Sequence, residues 1–237
     1  MLREFLDLII MQFKVIKAYL PLMIFYAIFF PLAFMLAFGF ISMRSYYPYI
    51  LSGTITFYMS IGIFVTVSQS LGYERRSGRF SLMVSAGIPK ELYALSIALG
   101  NGISTLIMIP IVIIIGYFLL HVIVKSILFL LISIITSIFT SSMLGITVGL
   151  GIKNFYAVNQ YSQIIGFVLT FFAPVYYPIT YIPIPFRYLT LLEPTTYMSQ
   201  AIYNAFIGSS FSLLWSLGVI VYGIVLMIIN SRVLKSI

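Results

Sequence analysis

Long apolar runs separated by short polar segments dominate the chain. An α-helix needs about 20 apolar residues to cross the roughly 30 Å hydrocarbon core of a bilayer. The pattern therefore predicts a single all-α integral membrane domain over residues 1–237, with about six transmembrane helices. The apolar runs that predict these helices lie near residues 20–40, 50–71, 92–120, 127–150, 156–172 and 211–229.

The first 19 residues show a different, amphipathic pattern. Leu6, Ile9 and Phe13 recur at steps of three and four residues, and Lys14 lies on the opposite face. This spacing is typical of a helix that lies in the membrane interface. We therefore expect residues 1–19 to form an N-terminal interfacial amphipathic helix, the alternative being a frayed cytosolic end.

Prolines interrupt the apolar segment over residues 173–210, just before the last span. Pro178, Pro183 and Pro194 are spread through it, and Glu193 is its acidic residue. Proline breaks helices, and broken backbone is tolerated at membrane depth only where protein shields it. We interpret this segment as an external re-entrant hairpin that does not cross the bilayer.

The amount of charge agrees with a membrane protein. Hydrophobic residues make up 62% of the chain and charged residues 8%, whereas a soluble domain carries about a quarter charged residues. The net charge is +8, but the basic residues lie between apolar runs. Contact with membrane lipid, rather than with nucleic acid, explains them.

Lys and Arg are distributed unevenly between alternate loops, and this bias predicts orientation. If the N-terminus is inside, Arg44, Lys125 and Arg187 are external. The remaining basic residues are then internal, namely Arg3, Lys14, Lys17, Arg75, Arg76, Arg79, Lys90, Lys153, Arg232 and Lys235. We expect a multi-pass protein of the cell (plasma) membrane with both termini cytoplasmic.

The sequence carries few groups that could perform chemistry. Cysteine is absent, and His121 is the one histidine. No paired carboxylates, metal-ligand cluster or phosphate-binding GxxxxGK[ST] motif appears. The predicted spans lack the charged residues of ion-coupled carriers. We therefore expect no catalysis, cofactor or metal, and a driving force that another subunit supplies.

Small residues recur every four positions in the fourth span, at Ser133, Ser137, Ser141, Gly145 and Gly149. Such a stripe lets another helix approach closely. We interpret it as packing within the protomer, with a role in a pore as the alternative.

The loop over residues 73–91, after the second span, begins with charges and continues with Phe80, Met83 and Val84 on one helical face. Gly87 can then cap the helix before a proline. A short helix with an apolar ridge just inside the membrane suits docking to a cytosolic partner. The alternative is a basic anchor against lipid.

This layout resembles the permease subunits of type-2 ABC exporters over the whole chain. The residues that carry the resemblance are Glu74, Gly78, Gly87-Ile88-Pro89, Tyr177-Pro178, Ile182-Pro183, Tyr188-Leu189 and Glu193-Pro194-Thr195-Thr196-Tyr197. The chain departs from the family near Asn204, where members often carry Arg.

The resemblance implies two permease subunits, commonly a homodimer, above two copies of a cytosolic ABC ATPase. It implies that cargo passes along spans two and five, and that residues 73–91 couple to the ATPase. The implied coupling residues are Glu74, Arg75, Arg76, Gly78, Arg79, Phe80, Met83 and Gly87. The polar residues expected along the path are Thr54, Tyr58, Thr66, Gln69, Gln160 and Gln163.

The expected function is thus that of a permease subunit of an ATP-driven ABC-2 type exporter. Two alternatives remain: a non-transporting membrane scaffold, whose composition could be identical, and a membrane-embedded lipid-modifying enzyme. The enzyme would need several acids or histidines at the interface, and Glu193 with Arg187 supplies too few.

Overall fold

A computed structural model describes residues 2–154 and 156–236, which form helices and turns without a strand. The side chains of Arg3 and Lys235, which contribute to the predicted charge bias, lie outside the described residues. The helices are α1 (Leu2–Ile41), α2 (Tyr47–Arg76), α3 (Arg79–Ser85), α4 (Lys90–Leu120), α5 (Ile127–Gly151), α6 (Val158–Phe171), α7 (Ile184–Thr190), α8 (Pro194–Phe206) and α9 (Phe211–Ser236).

Within the described residues, five helices are long and apolar enough to cross a membrane: α1, α2, α4, α5 and α9. The remaining predicted span, the fifth along the chain, corresponds to α6, which has 14 residues. At 1.5 Å per residue α6 is about 21 Å long, shorter than a bilayer core of roughly 30 Å. The structure therefore supports a multi-span helical protein and leaves the count of six unconfirmed.

The predicted interfacial segment and the first predicted span lie in one helix. α1 has 40 residues, with Pro21 and Pro31 inside it. Its N-terminal part packs along α4, where a Cβ on Gly100 would lie 2.7 Å from Cβ of Gln12. The location of residues 5–19 in the membrane interface stays a prediction.

α2 lies at the centre of the molecule and is the most buried of the long helices. It packs against α5 through the predicted stripe of small residues. A Cβ on Gly145 would lie 2.7 Å from Cβ of Val67, and Ser68 Oγ donates to the Gly145 carbonyl at 3.1 Å. The stripe thus packs within the protomer, as its spacing predicts.

The N-terminal half of the same stripe packs against α9 through hydroxyl groups. Ser133 Oγ lies 3.0 Å from Ser212 Oγ and 3.1 Å from Ser216 Oγ. Deeper in the seam, Thr140 donates to the Val219 carbonyl at 2.7 Å. These bonds satisfy polar groups that neither lipid nor water would reach.

The proline-rich segment 173–210 folds into short helices, and each begins at a proline. Pro178 immediately precedes a 3₁₀ turn, Pro183 immediately precedes α7, and Pro194 is the first residue of α8. Proline suits these positions because its fixed φ matches a first helical turn that needs no N–H donor.

α8 runs antiparallel to the N-terminal half of α9. Near its C-terminal end, Ser212 Oγ donates to the Ala201 carbonyl at 2.8 Å. At its beginning, the Tyr197 ring packs against the rings of Trp215 and Tyr222, with centroids 5.3 Å and 5.4 Å away. The start of α8 therefore lies deeper along α9 than its end.

Candidate functional site

The loop after α2 folds into a short, sharply bounded helix. Gly78 precedes α3 with φ of 73°, and Gly87 follows it with φ of 90°. Residues that carry a Cβ disfavour this left-handed region, whereas glycine adopts it readily. Two glycines and Pro89 thus set where α3 begins and ends, as the sequence predicts.

α3 turns its apolar ridge toward the protein. Phe80 is 5% exposed, and its ring lies 5.8 Å from that of Tyr93 on α4. Met83 and Val84 also pack against the core. Phe80 thus contacts an aromatic surface of α4 within the protomer, and its role in coupling to a partner stays a prediction. Leu82 is instead the exposed apolar side chain of α3, at 70%.

Glu74, at the end of α2, is engaged within the protomer. One carboxylate oxygen accepts from the Arg79 guanidinium at 3.1 Å, and the other accepts from the Tyr93 hydroxyl at 2.7 Å. This carboxylate therefore joins α2, α3 and α4. Arg76 is exposed and lies over the ring of Tyr156, 4.7 Å from its centroid, a cation–π arrangement.

Arg75 joins the same cluster to α5. Its guanidinium donates to the carbonyls of Gly149, Leu150 and Ile152 at 2.8, 3.1 and 2.9 Å. These carbonyls belong to the C-terminal end of α5, where helical carbonyls lack partners and a positive charge is favoured. The loop is thus tied to α2, α4 and α5.

The outward surface of α3 is small and largely uncharged. Besides Leu82, the residues that expose their surface there are Ser81, Ser85, Ala86 and Gly87. A partner that contacts this surface would move a helix that packs on α2 and α4 through Glu74 and Phe80, and Arg75 ties α2 to α5.

The structure separates the predicted path residues into three groups, of which the first is buried. Thr54 is fully buried, and its hydroxyl donates to the Ile50 carbonyl at 2.7 Å. It lies one helical turn before Tyr58, on the same face of α2, and is not among the residues that line the adjacent cavity.

The second group faces the space between α1, α2 and α4. Tyr58 and Thr66 line a cavity of about 320 Å³ there, together with Asn101 and Thr105 of α4. Thr66 is exposed and donates to the Gly62 carbonyl at 2.5 Å.

The third group lies where α2 meets α6. Gln69 Nε2 donates to Asn159 Oδ1 at 2.6 Å, and both residues line a cavity of about 350 Å³ with Gln160. Gln163 is exposed on the same helix. Gln69, Asn159 and Gln160 thus bring amide groups together where α2 meets α6.

Glu193 is the buried acid of the proline-rich segment. It lies before the first residue of α8, 9% exposed, and its carboxylate oxygens accept no hydrogen bond from a described residue. Burial raises the pKa of this carboxyl to about 7. The Thr195 hydroxyl opposes this only weakly, since it donates to the Leu169 carbonyl.

No group of three acidic or histidine side chains within the described residues could hold a metal ion. The residues that sequence reasoning missed are Tyr93, Leu82 and Asn159. Tyr93 and Asn159 act through contacts between distant segments, which no spacing reveals. The exposure of Leu82 follows from the helical phase of α3 once Phe80 is placed inside.

A comparison with known families adds an independent finding. The family described as ABC-2 type transporter matches the chain over residues 4–207, which includes α3 and the segment that ends with α8. No curated protein matches the chain.

Proposed function

Because the chain belongs to the ABC-2 type transporter family, and is therefore a multi-pass membrane permease, we propose that it works with a cytosolic ABC ATPase to export its cargo. The chain contains no nucleotide-binding motif of its own. ATP binding and hydrolysis would take place in two copies of that partner. As a permease domain, the chain itself is a membrane component and not a catalytic one.

One observation carries this proposal: α3 is exposed on one side and anchored on the other. Phe80 packs on Tyr93, Glu74 bonds to Arg79 and Tyr93, and Arg75 binds carbonyls at the end of α5. A force on the exposed surface would therefore reach α2, α4 and α5 together. Coupling requires that the partner contact α3 differently in its two nucleotide states.

The proposed ATPase contact differs from the sequence-based one in its residues. Leu82, Ser81 and Gly87 supply the surface, and Arg76 supplies charge at its edge. Phe80 and Met83 act as anchors, and Glu74 and Arg75 hold α3 to its neighbours. Gly78 and Gly87 shape the helix ends.

The proposed cargo path lies at the α2–α6 face, between two copies of the permease. Gln69, Gln160 and Gln163 contribute polar groups there. α6 also exposes Tyr161 and Phe167, at 52% and 49%. A second, identical permease subunit would cover this aromatic surface and enclose the path.

The proposed topology has both termini in the cytoplasm, and a re-entrant outer segment over residues 173–210. The antiparallel packing of α8 on α9 supports a segment that enters from outside and returns. The short α6 would complete a sixth crossing with the loop that follows it. Outward transport agrees with the resemblance to exporters.

Affinity capture with the partner tests the proposal. The tagged permease is expressed in its native host, and the amount of ABC ATPase that is captured with it is measured. Leu82→Asp places a charge in the proposed contact and should lower capture at least tenfold, because a buried unpaired charge is costly. Asn154→Asp, which places the same charge in the other cytoplasmic loop, should leave capture unchanged.

The results that oppose the proposal are equally specific. Equal capture by the Leu82→Asp and wild-type proteins would show that α3 is not the contact. Absence of any ATPase from the wild-type preparation, with no cargo transport in vesicles, would favour a non-transporting scaffold.

A further inference from the structure

A trough runs between α1 and α2 over α4. It adjoins the cavity between α2 and α6, with which it shares Gln69 and Tyr73. Its cytoplasmic part is a cavity of about 740 Å³, lined by residues that include Lys14, Ala18, Tyr73 and Ile97. Its deeper part is the cavity of about 320 Å³ lined by Met23, among others. Both parts lie on consecutive turns of the same three helices.

Packing at three levels explains why the trough exists. Near the cytoplasmic end, Gly100 lets α1 approach α4 closely at Gln12. Further out, α1 meets α2 through the rings of Phe30 and Phe57, whose centroids are 5.2 Å apart. Near its C-terminal end α1 meets α4 again, where a Cβ on Gly39 would lie 3.1 Å from Cδ2 of Leu120. The space that these contacts leave between α1, α2 and α4 is the trough.

The cytoplasmic part carries positive charge. Lys14 and Arg79 line it together with one acid, Glu74. Both oxygens of Glu74 are already engaged, by Arg79 and by the Tyr93 hydroxyl. No described carboxylate pairs with Lys14, and the Arg79 side chain is 48% exposed. Lys and Arg so placed bind phosphate through charge-assisted hydrogen bonds.

The deeper part presents little free polarity, although it contains polar residues. Asn101 Nδ2 donates to the Ile97 carbonyl at 2.9 Å. The hydroxyls of Ser104 and Thr105 both donate to the Asn101 carbonyl, at 2.7 and 3.0 Å. Because these donors bond within α4, they need no partner from a bound acyl chain.

The length of the trough matches one leaflet. From Lys14 to Phe30, α1 advances about 24 Å at 1.5 Å per residue. One leaflet, including its headgroups, is about 20–22 Å thick. We propose that the trough binds one anionic phospholipid of the cytoplasmic leaflet, with its phosphate between Lys14 and Arg79 and an acyl chain along Ala18 and Met23.

This proposal does not depend on the transport function, since it requires only α1, α2, α3, α4 and a membrane. It also differs from general attraction to an anionic surface. Lys17 lies one turn from Lys14 on the same helix and is exposed, but it lies outside the cavity lining. Binding of a lipid in the trough should depend on Lys14 and not on Lys17, whereas attraction to an anionic surface should depend on both.

Photocrosslinking of the full-length chain in lipid nanodiscs tests the site. The probe is phosphatidylglycerol with a diazirine in one acyl chain, and the attached peptides are identified by mass spectrometry. We expect one lipid per chain, attached within residues 18–30 of α1 or 97–105 of α4. The same diazirine on phosphatidylcholine should label these peptides several-fold less.

Two matched pairs of variants separate headgroup binding from chain binding. Lys14→Gln should weaken labelling by phosphatidylglycerol about fivefold, the effect of one basic residue at an anionic membrane, whereas Lys17→Gln should not. Ala18→Phe should block the trough and abolish labelling. Ala33→Phe, at an exposed position of α1 outside both cavities, should not.

Three results would overturn the proposal. They are equal labelling by phosphatidylcholine, equal losses in Lys14→Gln and Lys17→Gln, and attachment spread over all lipid-facing helices. Ala18→Phe is compared only in monodisperse preparations with wild-type helix content. If that variant fails to fold, the Lys14 and Lys17 pair decides the question.

Discussion

At the scale of the residue, two glycines and one buried acid make contributions to stability that can be measured separately. Gly78 and Gly87 have positive φ, yet a Cβ at either position would meet no atom within 4 Å. Their requirement for glycine is therefore conformational and not steric. Gly151 also has open space but lacks a positive φ, which makes it a matched control.

We expect Gly78→Ala and Gly87→Ala to destabilise α3 by about 1–2 kcal/mol, the cost of the left-handed conformation for a residue with a Cβ. Hydrogen–deuterium exchange of residues 79–85 should speed up in both variants. Gly151→Ala should leave this exchange unchanged. Unchanged exchange in Gly87→Ala would show that the left-handed conformation does not bound α3.

A second prediction concerns the buried carboxyl of Glu193. Its pKa in the folded protein is raised from 4.5 to about 7, so the folded state favours the protonated form. Stability should therefore be greatest below the ordinary pKa and fall as pH rises from about 4.5 to 7. Glu193→Gln should reduce this fall in Tm.

The control for this measurement is Glu91→Gln, which changes an exposed carboxyl at the start of α4. It should retain the wild-type dependence of Tm on pH. An unchanged pH dependence in Glu193→Gln would mean that Glu193 is ionised and solvated in the folded protein.

At the scale of the element, close contact between α2 and α5 holds the centre of the molecule together. Gly145 and Gly149 bring the two backbones near enough for Ser68 to donate to the Gly145 carbonyl. In lipid, such packing replaces the hydrophobic driving force that soluble helices have. The small-residue stripe is therefore a requirement for assembly of the helices.

We expect Gly145→Val to destabilise the protein by about 1–3 kcal/mol, because added atoms would overlap Val67 in a packed interior. The thermal unfolding midpoint in detergent should fall, and less monodisperse protein should be recovered. Gly151→Val, at the open end of the same helix, should change both quantities much less. Equal effects at both positions would argue against steric crowding.

At the scale of the whole molecule, orientation and the course of residues 173–210 determine which surfaces face the cytoplasm. The charge bias places α3 inside, and the hairpin interpretation places both ends of the proline-rich segment outside. The chain contains no cysteine, so a single introduced thiol reports the location of its own position.

We expect a membrane-impermeant maleimide added to intact cells to label Thr180→Cys and Ser210→Cys, which are exposed positions near both ends of the segment. Ser81→Cys on α3 should be labelled only after permeabilisation. Labelling of Thr180→Cys but not Ser210→Cys would mean that the segment crosses the bilayer. Labelling of Ser81→Cys in intact cells would invert the topology.

The sequence alone determined the features that depend on local composition and spacing. Apolar run length predicted the long helices, because a bilayer core has a defined thickness. Gly78, Gly87 and Pro89 predicted the bounds of α3, since these residues restrict backbone conformation locally. The stripe from Ser133 to Gly149 predicted a packing face, because the helical period places its members on one side.

Only the tertiary structure decided how these elements face one another. α1 packs closely on α4 at Gly100, and Phe80 turns inward because Tyr93 offers it an aromatic surface. Arg75 reaches carbonyls on α5, and the trough forms where the packing of α1, α2 and α4 leaves space. These features depend on contacts between segments far apart in the chain, which local sequence patterns do not specify.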